Sequence, residues 1–328
     1  MIMRSSVLSA GAIAAMTAIL PFRAGAQSLL RSQFAAHQLK GEAIVQVQCA
    51  SASQLFATIA SDGTAKLWSQ SGTAVHTYAP KPTAMLFNGR FLGNDNSGFI
   101  TAAYNGTASA WSSPTAVPLK LGPHLSGVTD VQPISVAGVI VTASDDGSIR
   151  YWSATGKLLK RIEAPGVTRH LAYSPDLKLI AATQDIGSVT LLSPTGDLVG
   201  TVNTGQGRLN DVIFSTTQPL MLTGGFDGTI KIWHFSTANR LPRLQLTIGA
   251  QANAGWIEGL AINRDGVIAS ASDDGSIRFW NLQGTLLAEQ NLSTNHHLMS
   301  VCMAADQRSV HVLAQDGTLS TLSLPQPR

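Results

Sequence analysis

The sequence has 328 residues, of which 44% are hydrophobic and only 12% are charged. A single hydrophobic core rarely grows beyond about 250–300 residues, so this length predicts either two domains or a repeat architecture. The chain has no long run of like charges, which argues against a largely disordered chain. Its formal net charge of +3 comes from scattered residues, which gives no support to nucleic-acid binding.

The first 26 residues have the three parts of a secretory signal peptide. Arg4 supplies a positive start, residues 7–20 are mostly apolar, and Ala24-Gly25-Ala26 forms a small-residue cleavage site. The apolar run is shorter than the ~20 residues that span a bilayer comfortably. We therefore expect residues 1–26 to be removed and residues 27–328 to form a periplasmic domain with no membrane anchor.

A short repeat recurs along the rest of the chain. A glycine followed by threonine or serine recurs at seven positions that are spaced 40 to 47 residues apart. These turn glycines are Gly63, Gly106, Gly147, Gly187, Gly228, Gly275 and Gly317. An acidic or amide residue directly precedes all of them except Gly187, where Asp185 stands one place earlier.

Each repeat predicts a β-hairpin. In the third, residues 139–144 and 148–152 are β-type runs separated by Asp146-Gly147. Asp-Gly between such runs predicts a tight turn in which both positions take positive φ. No helical pattern lies between the hairpins, and seven all-β units of about 40 residues predict a propeller of seven four-stranded antiparallel blades.

Tryptophan fixes the register of the repeats. Five of the six tryptophans lie five residues after a turn glycine, namely Trp68, Trp111, Trp152, Trp233 and Trp280. The fourth and seventh units place Leu192 and Leu322 there. We expect these large side chains to pack one blade against the next, with each indole N–H bonded to a neighbour.

The segments 62–68, 227–233 and 274–280 read Asp-Gly, then Thr or Ser, any residue, Lys or Arg, any residue and Trp. This pattern resembles the WD-repeat family, and the resemblance covers the whole mature chain. The short signal peptide and the alanine-rich composition suggest a bacterial secreted member. WD repeats usually carry a Gly-His pair before each blade's first strand, and His124, after Pro123, is the one histidine in that place. The resemblance implies a polar network of His124, Asp146, a strand hydroxyl and Trp152. The departures leave closely related propeller families as an alternative.

One acidic residue per blade could be read as a ring of metal ligands or catalytic carboxylates. The acids concerned are Asp62, Asp146, Asp227, Asp274 and Asp316. Because one acid per blade spreads them around a ring, we favour a structural role in which each caps its own turn through backbone N–H groups.

The remaining chemistry-bearing residues suggest neither catalysis nor a cofactor. His296 and His297 are adjacent, so their side chains point apart on an extended segment and do not favour a metal site. The chain lacks a Cys-x-x-Cys-His run and a Gly-x-Ser-x-Gly elbow. We therefore expect no catalytic residue, no metal and no cofactor.

The two ends of the chain are expected to meet. The last unit supplies three strands, and residues 28–35 precede the first blade without another partner, so they should form the outer strand of the last blade and cover an open edge. Cys49 and Cys302 fall on the innermost strands of the first and last blades. A disulfide is possible in an oxidising compartment, but their registers differ by one residue, which favours two buried free thiols.

A binding scaffold is the function that the sequence favours, because WD-repeat propellers generally present loops to protein partners. The expected surface lies on blades five to seven. Trp256 breaks the register of the other tryptophans and aligns with Arg208 in the preceding blade and His297 in the following one. Trp and Arg are enriched at binding hot spots. The alternative for Trp256 is a lid over its own blade.

We expect a monomer that binds a protein of unknown identity and does not bind nucleic acid. The alternative function is a propeller enzyme, or an accessory protein that binds a redox cofactor or a sugar in the central channel, since the fold alone does not decide function.

Overall fold

The computed structural model describes residues 31–35, 43–92, 98–236, 239–249, 255–292 and 297–325. These residues form seven four-stranded antiparallel sheets. The predicted seven-bladed propeller is therefore confirmed. The predicted signal peptide, residues 1–26, lies outside the described residues.

The strands follow one another blade by blade. Blades 1 to 3 contain β2 (Ile44–Cys49), β3 (Leu55–Ala60), β4 (Ala65–Ser69), β5 (Ala74–Tyr78), β6 (Leu86–Leu92), β7 (Gly98–Ala103), β8 (Ala108–Trp111), β9 (Leu119–Leu121), β10 (Val128–Ile134), β11 (Val139–Ser144), β12 (Ser148–Ser153) and β13 (Leu158–Glu163). Blades 4 to 6 contain β14 (Thr168–Ser174), β15 (Leu179–Gln184), β16 (Ser188–Leu192), β17 (Leu198–Asn203), β18 (Leu209–Phe214), β19 (Leu220–Gly225), β20 (Ile230–Ser236), β21 (Asn239–Ile248), β22 (Ile257–Ile262), β23 (Ile268–Ser272), β24 (Ser276–Trp280) and β25 (Leu286–Asn291). Blade 7 contains β26 (Leu298–Met303), β27 (Ser309–Ala314), β28 (Thr318–Ser323) and the N-terminal strand β1 (Arg31–Ala35). One short 3-10 turn, Ser135–Ala137, precedes β11.

The position of a strand within its blade explains its composition. Second strands such as β15 and β19 are buried along their whole length, because a neighbouring blade covers each face of the sheet. They read as continuous runs of small and aliphatic residues, as expected for strands buried on both sides. The outer strand β13 instead alternates exposed and half-buried residues.

The seven turn glycines all take positive φ, between 72° and 85°. In the first hairpin the Ala60 N–H donates to the Thr64 carbonyl at 3.0 Å, and the Gly63 N–H donates to the Ala60 carbonyl at 3.3 Å. Three residues therefore separate the strands, and Asp62 is not among the described non-glycine residues with positive φ. The expected two-residue turn with two positive φ values was wrong. In the observed turn the residue before the glycine has negative φ, and the glycine itself forms a β-bulge with positive φ.

The hydrophobic core is divided among the seven blade interfaces. One buried cluster, for example, joins Ile59 of blade 1 to Leu86, Phe99 and Trp111 of blade 2. Another joins Ile44, Phe56 and Trp68 of blade 1 to Leu313 and Leu319 of blade 7. Each tryptophan that lies five residues after a turn glycine therefore packs on the preceding blade. The stability of the closed ring thus depends on every interface between blades.

The N-terminal strand completes the last blade, as predicted. Strand β1 pairs antiparallel with β28, from Arg31 opposite Leu322 to Ala35 opposite Thr318. The innermost strands of blades 1 and 7 carry a disulfide between Cys49 and Cys302, whose Cα atoms are 5.5 Å apart. The expectation of two free thiols was wrong. Strands β2 and β26 are neighbours at the point where the ring closes. Their close approach brings the two cysteine side chains together, although the cysteines stand at different positions relative to their turn glycines.

Removal of β1 should destabilise the propeller. A chain that begins at Ala35 loses most of the β1–β28 ladder and leaves β28 as an open edge, so we expect its melting temperature to fall by roughly 10 °C or more. Differential scanning calorimetry would measure this loss. A control chain that begins at Leu30 keeps the whole strand and should melt like the mature protein. Equal melting temperatures for the two chains would contradict closure by β1.

Loss of the disulfide should also lower stability. The bridge spans 253 residues of sequence, and native disulfides of this kind contribute about 2–5 kcal/mol to the free energy of unfolding. Cys49→Ala/Cys302→Ala should show that loss in urea unfolding. Non-reducing mass spectrometry of the unmodified protein should show a deficit of two hydrogens, whereas two free thiols that react in urea would contradict the bridge.

Candidate functional site

Two sets of loops lie at the same end of the propeller. In each antiparallel blade the innermost strand begins, and the second strand ends, at one face. We call this the turn face; it comprises the loops before the innermost strands and the turns that hold the turn glycines. In blades 5 to 7, the N–H that follows the second strand donates to the carbonyl that precedes the first. The pairs are Phe226 with Arg208 (3.0 Å), Asp273 with Trp256 (3.1 Å) and Gln315 with His297 (2.8 Å). Arg208, Trp256 and His297 therefore occupy equivalent positions in three consecutive blades.

Trp256 packs on an aromatic ring of the preceding blade. The Trp256 and Phe226 rings are 4.1 Å apart and nearly parallel, at 5°. The guanidinium carbon of Arg208 lies 5.0 Å from the centroid of the same phenylalanine ring. Trp256 keeps 44% of its surface exposed, which is more than a lid over the core would leave. We call these three side chains the Arg208–Phe226–Trp256 stack.

The third predicted residue, His297, lies farther along the same rim. Its Nδ1 atom donates to the backbone carbonyl of Asp273 at 2.6 Å. Glu258 lines a cavity together with Arg208. Burial and the neighbouring Asp273 raise the pKa of Glu258 to about 7, while Arg208 and His297 act to lower it. Two of the three predicted residues, Arg208 and His297, thus act on the same carboxylate. Sequence reasoning missed Phe226 and Glu258, although an aromatic residue directly before a turn acid was a usable signal.

The turn acids cap their own turns in the structure. In each of five blades the first carboxylate oxygen accepts the backbone N–H two residues later. The acceptors and distances are Asp62 (2.7 Å), Asp146 (2.9 Å), Asp227 (2.9 Å), Asp274 (2.9 Å) and Asp316 (2.9 Å). Within the described ranges no three histidine, cysteine, aspartate or glutamate side chains are grouped so that they could hold a metal ion.

The tryptophans of the repeat are buried, with exposed fractions of 3–8%. Four of them donate an indole N–H to a hydroxyl on the neighbouring second strand. These donors are Trp68 (2.8 Å), Trp152 (2.8 Å), Trp233 (3.0 Å) and Trp280 (3.0 Å). Trp111 is buried in the interface of blades 1 and 2.

His124 belongs to the full polar network in blade 3. Its Nε2 atom lies 2.7 Å from Thr142 Oγ1, which also accepts the Trp152 indole N–H, and its Nδ1 atom lies 3.2 Å from Asp146. This arrangement favours a neutral imidazole that donates from Nδ1 to Asp146. Burial is the main cause that lowers the pKa of His124 to about 4. For Asp146 burial acts to raise the pKa, but hydrogen bonds from Ser148 and Leu125 outweigh it and hold the pKa well below its usual range.

Blade 5 builds a similar network with glutamine. Gln206 accepts a hydrogen bond from Thr223 Oγ1 and donates to the Thr229 carbonyl at 2.9 Å. Thr223 in turn accepts the Trp233 indole N–H. Sequence analysis looked for histidine here and missed this residue, although an amide can supply the same donor and acceptor.

The central channel holds charged side chains that pair with one another. Arg90 lies 3.0 Å from Asp130, and His170 Nδ1 lies 2.9 Å from Asp211. Asp130 also accepts the backbone N–H of Leu171 in the next blade at 2.7 Å. Burial acts to lower the pKa of His170, but the neighbouring carboxylates raise it overall. These contacts, which sequence analysis did not predict, join innermost strands of adjacent blades.

In the part of the chain that the structure describes, no helix is long and apolar enough to cross a membrane.

Fold and hydrogen-bond network together define a WD-repeat propeller. A model of the WD domain, G-beta repeat, matches residues 117–153, 196–234 and 244–281. Over 288 residues the chain is 40% identical to an uncharacterized WD repeat-containing protein of Synechocystis sp. (strain ATCC 27184 / PCC 6803 / Kazusa), covering 88% of this chain and 84% of that protein. The chain therefore belongs to the WD-repeat family.

More distant relatives share shorter stretches. A second WD repeat-containing protein of the same Synechocystis strain is 42% identical over 71 residues, which is 22% of each chain. The SIR4-interacting protein SIF2 of Saccharomyces cerevisiae is 34% identical over 101 residues, which is 30% of this chain and 17% of the yeast protein. Propellers of this family are generally non-catalytic scaffolds that bind other proteins.

Two buried histidines predict sensitivity to acid. Burial lowers the pKa of His124 and of His311 from 6.5 to about 4. Between these values the unfolded chain binds a proton at each of the two histidines that the folded chain does not. Folded Glu258, whose pKa is raised to about 7, binds a proton that the unfolded chain does not and offsets one of them. The net effect should be a free energy of unfolding that falls as pH decreases from 6.5 to 4. Urea unfolding across this range would measure the slope. His311→Gln should show a shallower slope, and the half-buried control His76→Gln should not. An unchanged slope in His311→Gln would contradict this assignment.

Proposed function

We propose that the protein is a periplasmic, non-catalytic scaffold that binds a protein partner through the turn face of blades 5 to 7. The observation that carries the proposal is the exposed Arg208–Phe226–Trp256 stack. Tryptophan and arginine are the residues most enriched at interface hot spots. Here both are held against a third ring. Side chains that are already ordered lose less conformational entropy on binding, which favours affinity.

The surroundings of the stack suit a protein interface. His297 and Glu258 extend it with polar and charged groups along the rim. An aromatic centre surrounded by polar side chains is typical of protein interfaces. The yeast relative is named as a SIR4-interacting protein, and this name supports the same class of function for this chain.

The proposed compartment rests on two observations. The first 26 residues have the pattern of a signal peptide. Cys49 and Cys302 form a disulfide, and such bonds persist in oxidising compartments such as the periplasm. We infer that the protein is exported and acts there as a monomer.

Trp256→Ala should abolish capture of the partner from a periplasmic extract of the source bacterium. The side chain is 44% exposed, so its removal should change the melting temperature little. Affinity capture with the mature protein, followed by mass spectrometry and calorimetry of each variant, measures both effects. A loss of ~3 kcal/mol or more in the free energy of unfolding, as for truncation of a core tryptophan, would instead make Trp256 a structural residue.

Tyr104→Ala is the matched control. Tyr104 occupies the position of Phe226 in blade 2, on the same face, and is 62% exposed. Removal of this aromatic ring should leave capture unchanged if the partner binds blades 5 to 7. Equal loss of capture in both variants would contradict the proposed location of the interface.

A further inference from the structure

Blades 3 and 6 carry equivalent aspartates directly before their turn acids, Asp145 and Asp273. Asp145 has an ionic partner from the following blade, because Arg169 Nη1 lies 3.1 Å from its Oδ1 atom. The paired registers of the innermost strands place Met299 at the position of Arg169 in the blade that follows Asp273. Blade 6 thus has the carboxylate of this pair, but blade 7 lacks the guanidinium.

One carboxylate oxygen of Asp273 has no hydrogen-bond donor among the described residues. Its Oδ1 atom is buried and accepts no hydrogen bond from the described residues. A Cβ on Gly255 would lie 1.6 Å from that atom, so the backbone that leads to Trp256 passes directly over the carboxylate. A buried acceptor without a donor is unfavourable, and a ligand that supplies the donor would remove that cost.

Glu258 is a second carboxylate without an ion pair among the described residues. Burial and the neighbouring Asp273 raise its pKa to about 7, so it too would be stabilised in its charged form by an added cation.

A cavity of about 230 Å³ opens beside Glu258, at the mouth of the central channel on the turn face. Glu258 and Met299 line it. Asn88 lines the same cavity, is only 6% exposed, and its Oδ1 atom accepts no hydrogen bond from the described residues. Asp273 and Asn88 therefore each have a buried oxygen without a donor in the part of the chain that the structure describes.

The cationic residues that line the cavity form no ion pair with Asp273 or Glu258. Arg169 pairs with Asp145, and His170 pairs with Asp211 at 2.9 Å. Arg208 lies against the Phe226 ring, and its charge acts to lower the pKa of Glu258 without a direct contact. The two carboxylates of blade 6 can therefore accept a cation from outside the chain.

We propose that an arginine side chain of the protein partner binds between Asp273 and Glu258, next to Trp256, in the place that Arg169 occupies beside Asp145. This inference rests on the proposed function and specifies the chemistry of the partner. A guanidinium suits the site because its planar set of five donors can serve several acceptors at once. Trp256 supplies an aromatic surface beside the charge, as cation binding favours.

Blocked pentapeptides test the proposal without the natural partner. The probes are acetyl-Gly-Gly-Arg-Gly-Gly-amide and the same peptide with citrulline, which keeps the shape but removes the charge. We expect the arginine peptide to shift the Trp256 indole N–H signal in NMR titrations and to bind about tenfold or more tightly than the citrulline peptide. Equal binding of the two peptides, or no binding of the arginine peptide at millimolar concentration, would overturn the proposal. Equal binding of a lysine peptide would overturn the assignment to guanidinium.

Charge-removing variants locate the site. Asp273→Asn and Glu258→Gln should each weaken binding of the arginine peptide severalfold. Asp176→Asn removes the same charge from an exposed turn at the opposite face, after β14, and should not change binding. Equal effects of all three substitutions would indicate general electrostatic attraction and overturn the assigned site.

Met299→Arg gives the sharpest test, because it supplies the missing arginine from the chain itself. Met299 also packs on the hydrophobic cluster between blades 1 and 7, so this variant should melt at a somewhat lower temperature but remain folded. It should lose binding of the arginine peptide. Met299→Leu, of similar volume, should bind the peptide as before. Retained binding in a folded Met299→Arg variant would overturn the proposal.

Capture of the partner separates the two proposals. If Trp256→Ala abolishes capture but Met299→Arg and Asp273→Asn do not, the scaffold function stands and the arginine site fails. If Trp256→Ala leaves capture intact, the proposed interface itself fails.

Discussion

A four-stranded blade has two apolar faces, and each face is buried only against a neighbouring blade. The seven hydrophobic clusters of this protein accordingly lie between blades, and register tryptophans such as Trp68 and Trp111 pack on the preceding one. No blade is complete by itself, so the first and last must also meet. Two independent links hold them, the pairing of β1 with β28 and the disulfide between β2 and β26. The rigid ring that results is what allows loops from separate blades to form one surface.

The sequence was sufficient to predict the fold because its repeat has a direct physical cause. A turn glycine with positive φ recurs once per blade, and in five of the seven blades a tryptophan follows five residues later. The closing strand was predictable from the count of strands in the last unit. The disulfide was not, because the distance between two cysteines on different blades depends on how closely the innermost strands approach around the ring. The turn type was also missed, since Asp-Gly is compatible with more than one hairpin geometry.

The candidate site was only partly accessible from the sequence. Alignment of the repeats placed Arg208, Trp256 and His297 at equivalent positions, and the backbone hydrogen bonds of three blades agree with that placement. The contacts that give these residues chemical meaning join different strands or different blades. Phe226 lies under a tryptophan from the next blade, and the pKa of Glu258 is raised by Asp273, which follows the neighbouring strand of its own blade. Such pairings arise from the angle between blades and the path of the loops, which a linear repeat pattern does not contain. Gln206 shows a related difficulty, because one residue type can replace another when it supplies the same hydrogen bonds.

The disulfide between Cys49 and Cys302 changes how the propeller responds to mechanical force. It converts the chain from residue 49 to residue 302 into a closed covalent loop, which contains blades 2 to 6 entirely. When the two ends of the protein are pulled apart, tension passes through β1, β28 and the bridge, and the strands inside the loop carry none of it. Only the segments outside the loop can be peeled away while the bridge is intact. The turn face of blades 5 and 6, with the Arg208–Phe226–Trp256 stack, therefore lies in a region that is shielded from load applied at the termini.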